Sequence, residues 1–134
     1  MTSEARQADA VAQVREAYDR LMSAFASGST DEYFACFHED ASFLFPGEVL
    51  LEPRSAYQEA WSRWEQEGVR FWDVVADDIR VRVLGDTAVV THRVRTGVVD
   101  DSDASVHRER ETIVFSRMGG RWLAVHEHLS PEDA

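Results

Sequence analysis

Residues 71–129 read FWDVVADDIRVRVLGDTAVVTHRVRTGVVDDSDASVHRERETIVFSRMGGRWLAVHEHL, and the reading of this stretch decides the fold. It divides into four runs rich in β-branched and aromatic residues, at 71–84, 87–99, 105–117 and 121–129. Gly85-Asp86 and Gly119-Gly120 supply tight turns between the outer pairs of runs. Asp100-Asp101-Ser102-Asp103 is a charged loop between the middle two. Four successive strands joined by short connections predict an antiparallel meander.

Upstream of the meander the hydrophobic period changes. Val11, Val14, Tyr18, Leu21, Met22 and Phe25 recur at helical spacing and form one apolar stripe, predicting a helix over 4–25. Ser27-Gly28-Ser29-Thr30 ends it, and Gly28 suits the left-handed residue that follows a helix. Ser29 or Thr30 then caps a short second helix through Phe37, with Tyr33, Phe34 and Phe37 as its apolar set. Residues 41–45 read as a short strand closed by Pro46-Gly47. Pro53 sits in the first turn of a third helix reaching Glu67, lined on one side by Tyr57, Trp61 and Trp64 and stopped by Gly68. Helices first and strands after predict an α+β fold, with two or three helices covering one face of a curved, mostly antiparallel sheet. Such a cone usually surrounds a small-molecule pocket. The 134 residues are expected to form one domain, with 1–3 and 131–134 frayed.

Composition narrows the function classes. The hydrophobic fraction of 44%, with 4 Trp and 7 Phe, is enough for a real core. The formal net charge is -11, from 25 acidic and 14 basic residues. A polyanion would be repelled by that field, so no nucleic-acid partner is expected, and an anionic membrane surface is disfavoured for the same reason. No stretch approaches the roughly 18 apolar residues of a membrane span. The first residues lack the apolar run of a signal peptide, and cytoplasmic placement is expected. Cys36 is the single cysteine, which excludes an intramolecular disulfide and a cysteine-based zinc cluster. No glycine-rich nucleotide loop is present, and no cofactor is expected.

Two local runs carry a family resemblance. Phe37-His38-Glu39-Asp40-Ala41 leads into the first strand, and Gly120-Arg121-Trp122-Leu123-Ala124-Val125-His126-Glu127-His128-Leu129-Ser130 ends the chain's last strand. With this order of elements, the chain resembles the cystatin-like, cone-shaped superfamily of nuclear transport factor 2, which includes ketosteroid isomerase and the SnoaL-like polyketide cyclases. The terminal run, Trp61-Ser62 and Glu111-Thr112 look most like the SnoaL-like branch that includes the association domain of calcium/calmodulin-dependent protein kinase II. The resemblance implies fold more than function, because such folds host enzymes, binders and assembly domains. Phe45, before Pro46, stands where the isomerases carry a general-base aspartate, so steroid isomerisation is not expected. Tyr18 falls about one helical turn from the isomerase tyrosine, which leaves it as a core residue or as a hydroxyl at the pocket rim. The kinase association domain has three pocket arginines. The resemblance keeps only the first, as Arg95, puts Ile113 and Leu129 at the other two positions, and keeps the pocket tryptophan as Trp61.

The carboxylates depend on one turn. A three-residue loop closing on Gly120 pairs Arg117 with Arg121 and sets Glu111 opposite Glu127. A two-residue turn pairs Met118 with Arg121, flips the last strand, and puts His126 and His128 on the face of Glu109 and Glu111. The three-residue loop is favoured, because a turn of this kind is common before the family tryptophan. The expected pocket then holds Glu111 and Glu127 as candidate catalytic acid and base. Arg95, Trp61, Tyr57, Phe43 and Tyr18 are the candidate ligand-binding residues. Keeping Arg95 inside also requires a bulge. A two-residue turn at Gly85-Asp86 otherwise lays Arg80, Arg82, Arg93 and Arg95 on one face, as on a solvated surface. His126-x-His128 has the spacing of a metal pair, but its ordinary role at this place is structural and no metal is expected. Cys36 is expected in the core.

Two functions remain open at this level. One is a small-molecule-binding domain, with proton-transfer chemistry of the isomerase, cyclase or dehydratase type on a mostly apolar ligand. The other is a non-catalytic assembly domain with a vestigial pocket. A homodimer through the outer sheet face is expected under either, since strands three to five carry apolar residues on both faces.

Overall fold

Three helices precede or interrupt a five-stranded sheet in the computed structural model, which describes residues 2–132. The elements are α1 (Ser3–Ser27), α2 (Thr30–Ala35), β1 (Phe37–Leu44), α3 (Arg54–Gln66), β2 (Arg70–Leu84), β3 (Thr87–Val99), β4 (Ala104–Met118) and β5 (Arg121–Pro131). The strand order is β1-β5-β4-β3-β2. β2 to β5 form the expected antiparallel meander, and β1 returns to lie parallel to β5 at the edge.

The helix ends follow from their residues. The Thr2 hydroxyl accepts from the Ala5 N–H at 3.0 Å, which satisfies one of the free donors of the first turn. Gly28 takes the left-handed conformation at φ 73, and its N–H bonds back to Ala24 and Phe25. Between these caps, α1 buries Val14, Ala17, Tyr18, Leu21 and Ala24, one stripe at spacings of three and four. α2 is shorter than expected. Phe37 already belongs to β1, because Arg54 holds the Phe37 carbonyl (2.9 Å) and Phe37 pairs with Ala124 of β5, the ladder resuming at Ser42 after an irregular stretch. β5 runs on through Pro131, and the Glu132 N–H bonds the Arg108 carbonyl at 2.9 Å. Of the ends expected to fray, residues 1, 133 and 134 lie outside the described residues.

The bulges occur in places the sequence did not announce. β2 carries two, after Trp72 and after Asp77, where Asp73 and Asp78 adopt positive φ (49 and 51). Each inserts one extra residue against β3, which bends β2 around the helices. β3 itself is unbroken, so Val90, His92, Val94 and Thr96 face the helices while Arg93 and Arg95 face away. The third bulge is in β5. Gly119 and Gly120, both at positive φ, form a two-residue turn that pairs Met118 with Arg121. That is the register the sequence reading disfavoured. One extra residue, Val125, between the Phe115–Ala124 and Val114–His126 pairs then shifts the ladder and turns the rest of β5 over. Trp122 and Ala124 therefore face inward before the bulge, and Glu127 and Leu129 face inward after it.

The core lies between α1, α2, α3 and the concave face of the sheet, built on Tyr18, Leu21, Phe37, Phe43, Ile113 and Phe115. Aromatic rings from α2, α3 and β1 interlock there, among them Phe43 and Tyr57 with centroids 4.5 Å apart. On the convex face Trp72 lies flat over Gly97, where a Cβ would meet the indole at 2.3 Å. Gly97→Ala should therefore cost about 1–3 kcal/mol in urea unfolding, by overpacking. Most of that loss should disappear when Gly97→Ala is made in a Trp72→Ala background. Equal losses in both backgrounds would mean that the indole is not the cause.

Candidate functional site

A cavity of about 340 Å³ opens between the helices and the concave face. Leu21, Met22 and Phe25 of α1, Tyr33 of α2, Tyr57 and Trp64 of α3, and Phe71 of β2 form most of its wall. The N–H and carbonyl of Leu51 pair with Phe43, closing the loop that brings Pro46 and Glu48 to the mouth. Val94 and Thr96 of β3 and Glu111, Glu127 and Leu129 of β4 and β5 make the floor, with the half-buried Glu109 and the exposed His107 of β4 nearer the mouth.

The polar groups converge on one corner of that floor. Ile113 stands opposite Glu127 and Glu111 opposite Leu129, so the two glutamates are diagonal neighbours on the same face. Glu127 is 2% exposed and Glu111 8%. Their side chains hydrogen-bond each other, which two carboxylates can do only when one carries a proton. Burial pushes Glu127 well above the usual carboxylate range, and the neighbouring Glu111 charge pushes it the same way. Glu127 is therefore the acid of the pair and Glu111 the acceptor.

Behind Glu111 the chain of hydrogen bonds continues into the core. His92, opposite Glu111 in the β3–β4 ladder, brings Nε2 to 2.7 Å from the Glu111 carboxylate. Its Nδ1 is bonded to the Tyr18 hydroxyl. Burial and the Glu111 charge raise the Tyr18 phenol, which stays protonated and donates to Nδ1. That assigns the ring proton to Nε2, where it is donated to Glu111. Tyr18, His92, Glu111 and Glu127 thus form one continuous line of hydrogen bonds, and the line can pass a proton by exchanging roles. A second hydroxyl pair, Tyr33 and Tyr57 at 2.9 Å, lines the cavity near Glu127, and burial raises both phenols.

The expected site residues separate into three groups. Glu111, Glu127 and Tyr57 line the cavity. Phe43 and Trp61 lie one layer behind it. Trp61 packs against Phe25, Tyr33 and Phe71, and its indole N–H has no partner among the described residues. Trp64, one turn along α3, occupies the wall instead. Tyr18 reaches the site only through His92. Arg95 is outside altogether, paired at 3.1 Å with Asp73 on the convex face. The bulges that could have turned it inward lie in β2, so the alternation of β3 is never interrupted. Arg80, Arg82 and Arg93 share its face, as the unbulged reading implied.

His92, Tyr33, Trp64 and Glu109 were not expected in the site. His92 could have been found from the four-residue loop at 100–103, since counting back from it sets residue 92 opposite Glu111. The histidines of the last strand do not form a metal site with the glutamates. His126 faces outward and bonds the Ser42 hydroxyl at 2.8 Å, and His128 is exposed. Three ligand-type groups come together at His38, Glu39 and Asp40 on the surface of β1, a pattern common on acidic surfaces. Cys36 is half-buried away from the cavity. Its thiol is raised by burial and donates to the Glu32 carbonyl, so it is a poor nucleophile.

The profile of the SnoaL-like domain matches residues 14–133. This chain belongs to the SnoaL-like family. Solved structures agree on the fold. A proposed dehydratase of the nuclear transport factor 2-like family from Streptomyces avermitilis is 22% identical, with a TM-score of 0.79 over 94% of this chain and 98% of that one. A nuclear transport factor 2-like protein of unknown function from Pseudomonas putida is 25% identical, with a TM-score of 0.78 over 94% of this chain and 89% of that one. The hub domain of calcium/calmodulin-dependent protein kinase II from S. rosetta is 24% identical, with a TM-score of 0.73 over 91% of this chain and 96% of that one. A comparison with curated proteins returned no match. No helix among the described residues is long and apolar enough to cross a membrane.

The buried acid pair of this SnoaL-like chain makes stability depend on pH. Glu127 has a folded pKa above its ordinary value of 4.5, so the unfolded chain releases this proton first as pH rises. Its contribution to stability is complete below that value and is lost as pH climbs through the folded pKa. Each unit between the two is worth about 1.4 kcal/mol. Glu127→Gln keeps a donor toward Glu111 and has no proton to lose. Urea unfolding between pH 5 and pH 8 should show the wild-type protein weakening relative to Glu127→Gln. Parallel pH curves would refute the assignment of the proton.

Proposed function

We propose that the cavity binds a small, mostly apolar molecule and moves a proton on it, in a reaction of the isomerase, cyclase or dehydratase type. The observation that carries this reading is the hydrogen-bonded Glu111–Glu127 pair on the floor of an aromatic cavity. A neutral carboxyl at neutral pH is a general acid ready to donate, and its conjugate carboxylate is a base of matched strength. His92 and Tyr18 stand behind the pair as positioning residues, which hold Glu111 as acceptor and can take up charge as the proton moves. The chain contains no lysine, all fourteen basic residues being arginine, so Schiff-base chemistry on a lysine side chain is not available to it.

A direct test is to incubate a small-molecule extract with the protein in deuterium oxide and follow it by mass spectrometry. One compound should gain carbon-bound deuterium or change by one water with the wild-type protein. Glu127→Gln should slow that change by about 10²–10⁴-fold while its far- and near-ultraviolet circular dichroism stay unchanged. Full activity in Glu127→Gln would remove the carboxyl pair from the mechanism.

A second reading has its own observation. Trp72, Val75 and Val106 are each about half exposed and cluster on the convex face, in the rows that pair through Gly97 and Arg95. Exposed apolar groups of this size on one sheet face favour a protein partner. Likeness to hub domains favours a second copy of the chain, whether or not the pocket is active. Sedimentation at micromolar concentration should give a dimer, and Val106→Glu should shift it to monomer. A wild-type monomer would rule out the outer-face homodimer.

A further inference from the structure

We infer that the ligand of this cavity is an organic ammonium ion: an apolar, preferably aromatic body carrying one positively charged amine. The inference rests on the cavity being the ligand site proposed above and names the class of molecule it takes.

Two independent features of the lining point to a cation. The first is the sign of its charge. Glu48 and Glu109 stand toward the mouth, Glu111 and Glu127 lie at the floor, and no arginine lines the cavity among the described residues. Six arginines of the sheet are on the other side, and Arg117, at the far end of β4, stacks over Trp122 and does not line the cavity. Arg80, Arg82, Arg93, Arg95, Arg108 and Arg110 all project from the convex face by strand register. An anionic ligand would meet four acids against one imidazole, that of His107 beside Glu109, a desolvation cost with little to offset it. The acid pair holds one proton, so a carboxylate charge stays at the floor with only the His92 N–H and the Glu127 hydroxyl to stabilise it. A bound ammonium supplies the missing charge.

The second feature is the wall. Phe25, Tyr33, Phe45, Tyr57, Trp64 and Phe71 line the same cavity. Aromatic faces attract a cation through their quadrupole, and more strongly where water is excluded. An apolar neutral ligand would be satisfied by the wall alone and an inorganic cation by the acids alone. Acids and aromatic rings in one small cavity suit a molecule with both parts.

The ammonium would displace the Glu127 proton, because a cation beside the pair favours the doubly ionised form, and with such a ligand the pair serves as the base of the proposed proton transfer rather than as its acid. Tyr33 of α2, Cys36 after it, Tyr57 of α3 and Glu111 of β4 are the titratable groups around Glu127, while His92 of β3 and Tyr18 of α1 reach it only through Glu111. Of these, Glu111 touches it directly.

The test uses three probes with one apolar body: 4-phenylbutylamine, 4-phenylbutan-1-ol and 4-phenylbutanoate. Binding to the full chain is measured by isothermal titration calorimetry at pH 7.5 in two buffers of different ionisation enthalpy. The amine should bind about tenfold or more tightly than the alcohol, and the carboxylate should not bind. Amine binding should release protons and alcohol binding should not. Glu127→Gln should still bind the amine but lose the proton release. The half-buried Glu109→Gln, which leaves the floor intact, should weaken the amine about two- to fivefold and leave the alcohol unchanged. If the alcohol or the carboxylate binds as tightly as the amine, the cationic ligand is wrong and the cavity stands as a ligand site. If none of the three binds, both this inference and the pocket reading fall.

Discussion

One extra residue, Val125, shifts the β4–β5 ladder by one place and turns the second half of β5 over. The site depends on that shift. Without it, the two-residue turn at Gly119-Gly120 would carry Trp122 and Ala124 into the core but point His126 and His128 at the cavity and Glu127 at solvent. With it, the apolar half of β5 and the acidic half face the same way. The bulge also lets β1 pair in parallel with the far part of β5, where Ser42 meets His126 and Phe43 meets Glu127. Closure of the cone and placement of the acid are thus one event. A bulge of this kind leaves one residue unpaired in the ladder and re-aims the side chains that follow it.

Once Glu127 is inside, the rest of the polar core follows from what a buried carboxyl requires. It cannot ionise freely beside Glu111, so it keeps its proton and gives it to that neighbour as a hydrogen bond. Glu111 then needs a donor on its other side and finds the Nε2–H of His92. His92 needs one at Nδ1 and finds Tyr18. Four residues from three elements, α1, β3 and the β4–β5 hairpin, are tied into one line in which each group fixes the protonation state of the next. Such a line is costly when one member is removed and stable when complete.

The sheet also separates charge. Around the cavity, glutamates occupy the concave side and arginines the convex side, with Asp73, Asp77 and Glu132 answering some of the arginines on the surface. This segregation distinguishes the cavity from one built to hold an anion on arginines. It leaves a negative, aromatic interior within a fold shared by a proposed dehydratase and by hub domains. That fold says nothing about which of those roles applies, and the chemistry has to be argued from the acid pair.

The sequence by itself determined the order of elements, because helical and strand periods are local properties of the apolar pattern. The stripe on α1, the αL glycine after it and the run of β3 at 87–99 were all legible there. It also named Glu111, Glu127 and Tyr57, which line the cavity. It placed Glu127 correctly through the wrong turn, since a three-residue loop and a two-residue turn followed by a bulge give that strand the same final face. What only the tertiary structure decided was where the bulges fall. A bulge depends on how the sheet bends around the helices, and no residue type marks it. Within the meander the bulges lie in β2 and β5 and not in β3, so Arg95 faces solvent and His92 joins Glu111.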